Sequence, residues 1–477
     1  MSDPTAESAL ELSAAAEGVR SMAELAALLR RLRRREARRR GGAELTYRQL
    51  AAHAGWSHAV VAVYLTGKTL PPTDRFDTLV QLLGASPAEQ SALATARDRV
   101  EEGRRAASGP ARATAWQRPH QLPADVPGFI GRAAELAELD RAAAISTPRG
   151  RAGARTLAIV GSPGAGKTAL ALHWAHRVRH RFPHGQLYTD LRGYGADPAA
   201  DPARILDGYL AALGVPAVDR PADLDAKIGL YRSLLDRRRV LVVLDNAANA
   251  RQVRPLLPTA PGSAAVVTSR SVLTGLVASD RAHRIVVDVL PLSEAVALLA
   301  GFLGEARVRA ELAAVRQLAR LCGCLPVALC ALGERAVTGP SSSLTALADE
   351  LATARNRLDL FEAGDDGQTT LRTMFGWSYQ QLPADAARLF RALGAHPRPW
   401  ADRGLLAELC GGDPREARRL VEVLAAANLL HRGRWDRYRL SGLLRWYAAE
   451  LAIEHGEAAP ARQLRSPQLG VESLTRQ

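Results

Sequence analysis

Near the N-terminus apolar residues recur at helical spacing: Met22, Leu25, Leu28, Leu29 and Leu32 share one face. The basic stretch RRLRRREARRRGG, residues 30–42, follows that pattern and reads as the end of an amphipathic helix. TYRQLAAHAG (46–55) predicts a short helix ended by Gly55, and SHAVVAVYLTG (57–67) another with Ser57 as N-cap. PPTDRFDTLVQLLG predicts a fourth. SPAEQSALATARDRV predicts a fifth, in which Ser86 and Glu89 form a capping box and Pro87 takes the first helical position. Residues 101–123 are rich in Arg, Ala and Pro, lose the periodicity and read as a linker.

Beyond it the period changes. TLAIV, GQLYTDL, VLVVLD, AAVVTS and HRIVVDV are separated by helical patterns. Runs that are apolar on both faces predict a buried parallel sheet wrapped by helices. From PLSEA at 291 onward the pattern is helical, interrupted by the wing-like HRGRWDRYRL at 431–440. No internal repeat of the length that builds solenoids is present.

The 477 residues suffice for three or four domains, and 47% hydrophobic residues is ordinary for a soluble globular chain. No apolar run is long enough to span a bilayer, so no membrane partner is expected. The acidic, Ala-rich N-terminus lacks the basic-then-apolar build of a secretory signal and reads as a disordered leader, residues 1–21. Cys322, Cys324, Cys330 and Cys410 lack zinc spacing, so reduced thiols and a cytoplasmic location are expected. The net charge of +14 points to a polyanionic partner. Nearly all of it is arginine. The lysines are Lys68, Lys167 and Lys227, and one of them sits inside a glycine loop where a compact ammonium must reach between phosphates.

That loop is GSPGAGKT, in which Gly161, Gly166, Lys167 and Thr168 satisfy GxxxxGK[ST] between a strand and a helix. Backbone N–H groups from Gly161 through Ser162, Pro163 (which lacks one), Gly164, Ala165, Gly166 and on to Ala169 would wrap phosphates, aided by the field of the helix N-terminus. Lys167 would neutralise the outer phosphates and Thr168 would ligate Mg²⁺. VLVVLDNA ends in Asp245, where a second magnesium-side carboxylate belongs. The residue after it is Asn246, which can position water but cannot take its proton at neutral pH. Asp245 and Asn246 are therefore the catalytic candidates for at most a slow ATPase, with Asp190 or Asp197 as substitute bases.

FIGR, GSPGAGKT, VLVVLDNA, VVTSR and CGCLPVAL together resemble the NB-ARC family of STAND-class signal-transduction ATPases, over roughly residues 120–455. The chain looks most like bacterial regulators that carry a helix-turn-helix ahead of NB-ARC. The resemblance implies that Thr268 and Arg270 sense the terminal phosphate, that Pro326 packs on the adenine, and that Arg132 lies near the nucleotide entrance. It implies ATP or ADP with Mg²⁺ as cofactors. The family's Met-His-Asp triplet falls on Leu440, Ser441 and Gly442, so its histidine and aspartate are both missing. This departure predicts a leaky switch, and the end of the chain soon after this domain accords with action without a sensor domain.

Residues 22–100 resemble the five-helix XRE type of helix-turn-helix. Ser57, His58, Ala59 and Ala62 would face base edges, while Arg33, Arg34 and Arg38 would hold DNA phosphates. The fold class expected is multidomain: an all-α helix-turn-helix domain (22–100), the linker (101–123), an α/β P-loop domain with a parallel sheet (124–290), a small helical domain (291–365), a winged helix (366–455) and a tail (456–477). The function expected is a nucleotide-switched transcriptional regulator that binds DNA and adenine nucleotide, with a homo-oligomer in the ATP state. The alternatives are a defence or cell-death effector that uses its N-terminal module for protein contact, and a remodelling motor.

Overall fold

The computed structural model describes residues 12–107, 116–144, 154–339, 343–354, 357–361 and 370–457. The chain divides into two compact units, Met1–Trp116 and Gln117–Gln477.

The first unit is helical. Helices Met22–Arg39, Tyr47–Ala54, His58–Leu65, Thr73–Leu82 and Pro87–Ala107 pack around Leu29, Leu32, Leu50, Val61, Leu65, Phe76 and Leu93. Burying such side chains contributes about 1.5–3 kcal/mol apiece, enough to hold short helices that would not persist alone. The expected capping box is present, with Ser86 Oγ accepting from Glu89 N and the Glu89 carboxylate accepting from Ser86 N. The leader expectation fails in part. Residues 12–17 are helical, and Leu12, Ala16 and Val19 are buried in this core; residues 1–11 lie outside the described residues.

The linker expectation also fails at both ends. The last helix runs on to Ala107. On the other side the backbone of Pro119 and Gln121 bonds to Gln186 at the sheet edge, and His176 Nε2 meets Pro123 O at 2.7 Å. Residues 108–115 lie outside the described residues, as do 458–477 of the expected tail.

In the second unit the five apolar runs form one parallel sheet: β1 (Arg155–Gly161), β2 (Gln186–Asp190), β3 (Leu241–Ala247), β4 (Ala264–Ser269) and β5 (His283–Val287). Their order is β2-β3-β4-β1-β5. The β3–β4 register is irregular between Leu244 and Ala247, which bends the end of β3 where Asp245 and Asn246 sit. Five helices from Leu292 to Thr353 follow. Then come helices Leu371–Tyr379, Ala384–Ala395, Arg403–Leu409, Pro414–Ala426 and Gly442–Glu454, with a hairpin of β6 (His431–Arg432) and β7 (Tyr438–Arg439) before the last. One continuous apolar core runs from the sheet through both helical regions. Among the described residues no helix is long and apolar enough to cross a membrane. The four cysteines are free thiols, each pushed up by burial.

Candidate nucleotide site and DNA-binding module

Strand β1 delivers the chain to Gly161, and the helix Lys167–Val178 starts six residues on. Both ends of this turn require glycine. A Cβ on Gly161 would stand 2.1 Å from Val287 O, and Gly166 caps the helix at φ +88. The Lys167 side chain is buried and donates to Ser162 O at 2.8 Å. Burial first, then the charge of Arg270, push its ammonium down to about 7, while Asp245 pulls the other way. Arg270 is itself lowered to about 10 by burial. The buried Lys167 and the half-buried Arg270 thus repel each other beside a cradle of backbone N–H groups. A polyphosphate would supply the missing negative charge, so these residues fit a nucleotide.

Asp245 Oδ1 accepts from Thr168 Oγ1 at 2.8 Å and from Thr268 Oγ1 at 2.5 Å. Burial raises the carboxyl, and the two hydroxyl bonds oppose that rise. Thr168 and Asp245 are therefore joined as two ligands for one hard cation would be. Thr268 also accepts from Asn246 N at 2.8 Å. It braces the end of β3 through both bonds. Asn246 stands at φ +56, and its Nδ2 donates to Tyr194 O at 2.9 Å and to Asp190 Oδ1 at 3.5 Å. The amide expected to position water is thus held on protein groups.

Arg132 is 5% exposed, so the expected place at an entrance gives way to a buried one. Its guanidinium donates to Ala165 O at 3.0 Å, to Asp288 O and to Glu135, which props the phosphate loop from behind. Pro326 opens the helix Pro326–Thr338, whose start lies against the loop: Val327 N bonds Gly164 O at 3.4 Å.

The C-terminal helical region reaches the same loop. Ser162 Oγ donates to Asn428 O at 3.0 Å, which leaves it to accept from His431 Nε2 at 3.3 Å. Asn428 Nδ2 donates to Arg270 O at 2.7 Å. The Arg270 guanidinium donates to Ser378 Oγ at 3.1 Å and to Met374 O, and packs over Tyr194 and Trp377. Gln381 Nε2 donates to Gly193 O at 2.8 Å. Asn428, His431, Ser378 and Gln381 escape sequence reasoning because they lie far along the chain from the loop and carry no motif spacing. Ser441 caps the last helix without a side-chain bond, and its hydroxyl makes no hydrogen bond among the described residues.

In the first unit Thr46 caps the helix Tyr47–Ala54, Gly55 ends it in the left-handed region, and the helix His58–Leu65 follows after Trp56 and Ser57. Ser57, His58 and Ala59 are exposed and Ala62 is half-buried. Ser57 stands at the N-cap but makes no cap bond, so its hydroxyl points free. Arg34 and Arg38 are exposed. Arg33 is not free for phosphate. It pairs with Glu44 and lies over the Tyr47 ring at 4.9 Å, with its side chain 18% exposed. Arg48, inside the first of these helices, and Lys68, just past the second, are also exposed, and neither is expected at DNA from the sequence.

A helix-turn-helix domain family matches residues 24–93. Over 412 residues the chain is 39% identical to the regulatory protein AfsR of Streptomyces griseus, which takes in 85% of this chain and 41% of the relative. Over 356 residues it is 41% identical to AfsR of Streptomyces coelicolor, covering 73% of this chain and 35% of that protein. The chain thus matches a helix-turn-helix domain at its N-terminal end, carries a P-loop motif beyond it, and is similar to the AfsR regulators over part of their length. It spans less than half the length of these curated relatives. Among solved structures, a STAND protein with a tetratricopeptide repeat sensor from Pyrococcus horikoshii is similar over 70% of this chain and 44% of that one, at 16% identity and a TM-score of 0.34.

Proposed function

We propose that this protein is a transcriptional regulator switched by adenine nucleotide, with slow or no turnover. One observation carries the reading. Asn428 and His431 of the C-terminal region bond the phosphate-loop residue Ser162, while Arg270 at the end of β4 bonds back to Met374 and Ser378. Phosphate in the loop would meet the contacts that hold the two regions together, so nucleotide state and domain arrangement are coupled. Gly161 to Ala169 would cradle the phosphates, with Lys167 and Arg270 as the charges. Thr168 and Asp245 would hold Mg²⁺, which takes one or two protein ligands alongside phosphate oxygens and water. Mg²⁺ supplies charge neutralisation at the phosphates when bound. The exposed face of Ser57, His58, Ala59 and Ala62 would read DNA, with Arg34, Arg38, Arg48 and Lys68 on phosphates. The match to AfsR proteins supports regulation over the effector alternative. In the ATP state we place a homo-oligomer.

Protein purified without added nucleotide is expected to carry close to one ADP per chain. Lys167→Ala is expected to lose it and to melt at lower temperature, because a ligand bound only by the native state stabilises that state. Nucleotide-free, heat-stable wild-type protein would overturn the switch. Genome-wide occupancy with no enrichment, together with no DNA binding at physiological salt, would favour the effector instead.

A further inference from the structure

A second cationic site lies in the C-terminal helical region, and no residue of the phosphate loop lines it. Arg445, in the first turn of the helix Gly442–Glu454, is 7% exposed. Its Nη2 donates to His396 O at 2.6 Å and Pro397 O at 3.0 Å. Its Nε has no hydrogen-bond partner. The side chain borders a small hollow with Arg398, Trp400, Arg439 and His396, floored by Leu393, Leu405 and Leu440. The hollow has room for one water-sized group.

The charge in this hollow is one-sided. Among the described residues Arg398, Arg439 and Arg445 have no carboxylate partner, and the lining contains no Asp or Glu. Arg437 adds a fourth guanidinium, stacked on Trp400 at 4.2 Å. Asp436, the acid of the hairpin, is taken by Arg432 and Arg403. A buried guanidinium with one donor unmet is unfavourable unless an oxygen acceptor completes it, and the uncompensated arginines around the hollow favour an anionic one. Exposed arginines at the rim would be solvated without help; Arg445 is not.

We propose that this hollow is a phosphate-binding site, in which one oxygen enters to accept from Arg445 Nε while Arg398 and Arg439 hold the remaining oxygens at the mouth. Guanidinium groups suit oxyanions because their donors match the spacing of two oxygens. The size of the hollow admits part of an inorganic phosphate and leaves the rest outside. Arg439 pairs across the hairpin with His431, which meets Ser162 of the phosphate loop. Phosphate held here would therefore act on the same hairpin that contacts the nucleotide site. The proposal does not depend on the switch reading.

The test is a titration of inorganic phosphate into full-length Lys167→Ala protein, followed by calorimetry and melting temperature, against sodium chloride of equal ionic strength. Saturable binding with a rise in melting temperature is expected. Arg445→Gln is expected to weaken it about tenfold or more. Should that variant fail to fold, Arg398→Gln with Arg439→Gln, both on the exposed rim, is expected to keep the melting temperature without phosphate and lose most of the response. A response unchanged by the rim variants would place the phosphate elsewhere, on the basic N-terminal helix for example, and overturn the site. So would an equal response to chloride. Wild-type protein saturated with ADP is expected to respond as well, because no phosphate-loop residue lines the hollow; if ADP abolishes the response, the phosphate was bound in the phosphate loop and the proposal falls.

Discussion

Asn246 follows Asp245 directly at the end of β3. Its backbone is left-handed, a conformation that Asn and Asp adopt with least penalty, and the bend at the end of β3 imposes it. The amide donates to Tyr194 O, a bond that a carboxylate cannot make. Asn246→Asp is therefore expected to fold, to turn its side chain away from Tyr194 and to raise phosphate release above the wild-type rate. Wild-type turnover is expected well below the roughly 1–100 s⁻¹ of phosphoryl-transfer kinases. Steady-state phosphate release measures both. Fast wild-type hydrolysis that Asp190→Asn removes would assign the base to Asp190.

At the scale of elements, the basic helix Met22–Arg39 divides its arginines by face. Arg30 bonds Leu65 O, Arg33 pairs with Glu44, and Arg35 pairs with the buried Glu89. These arginines tie the helix to its own domain. Arg34 and Arg38 remain on the exposed face. Replacing both with Ala is expected to weaken DNA binding alike for all sequences and to reduce the slope of log affinity against log salt by about 2, one counterion for each lost phosphate contact. Arg33→Ala is expected to act on stability instead, by about 1 kcal/mol, through the lost ion pair and ring contact. His58→Ala is expected to relax preference at one base position. A salt titration and thermal melts separate these roles. If Arg34→Ala with Arg38→Ala leaves the slope unchanged, that face is only solvated.

For the whole molecule the question is what holds the sheet and the C-terminal region together. The missing histidine and aspartate at Ser441 and Gly442 predict a leaky switch. The structure supplies other contacts: Asn428 and His431 on Ser162, Arg270 on Met374 and Ser378, and Gln381 on Gly193. Burial holds His431 below the usual histidine range, so it meets Ser162 as a neutral ring at neutral pH. His431→Ala is expected to speed ADP release by roughly fivefold, the worth of about 1 kcal/mol for one neutral hydrogen bond. Ser441→His with Gly442→Asp is expected to slow release little, because these contacts already tie the C-terminal region to the sheet. Stopped-flow displacement of a fluorescent ADP analogue reads both. If His431→Ala is silent while the double substitution slows release strongly, the switch is leaky as the triplet implies.

The amino-acid sequence by itself determined the elements and the loop. Short runs apolar on both faces specify the five strands of the sheet, and a period of 3.6 specifies the helices of the first unit, because the apolar pattern decides which faces are buried. GSPGAGKT and Asp245 are legible because phosphate geometry demands those residue types in that order. Tertiary structure decided which charged and polar groups remain free. Arg33 and Arg34 are neighbours with the same chemistry, yet one faces Glu44 and the other solvent. Leu12, Ala16 and Val19 look like leader composition until a core accepts them. Ser162 and His431 are brought together from distant parts of the chain, and Arg445 becomes an unmet donor only once leucines close around it. Burial and partnership are properties of the packed chain, so no local pattern could encode them.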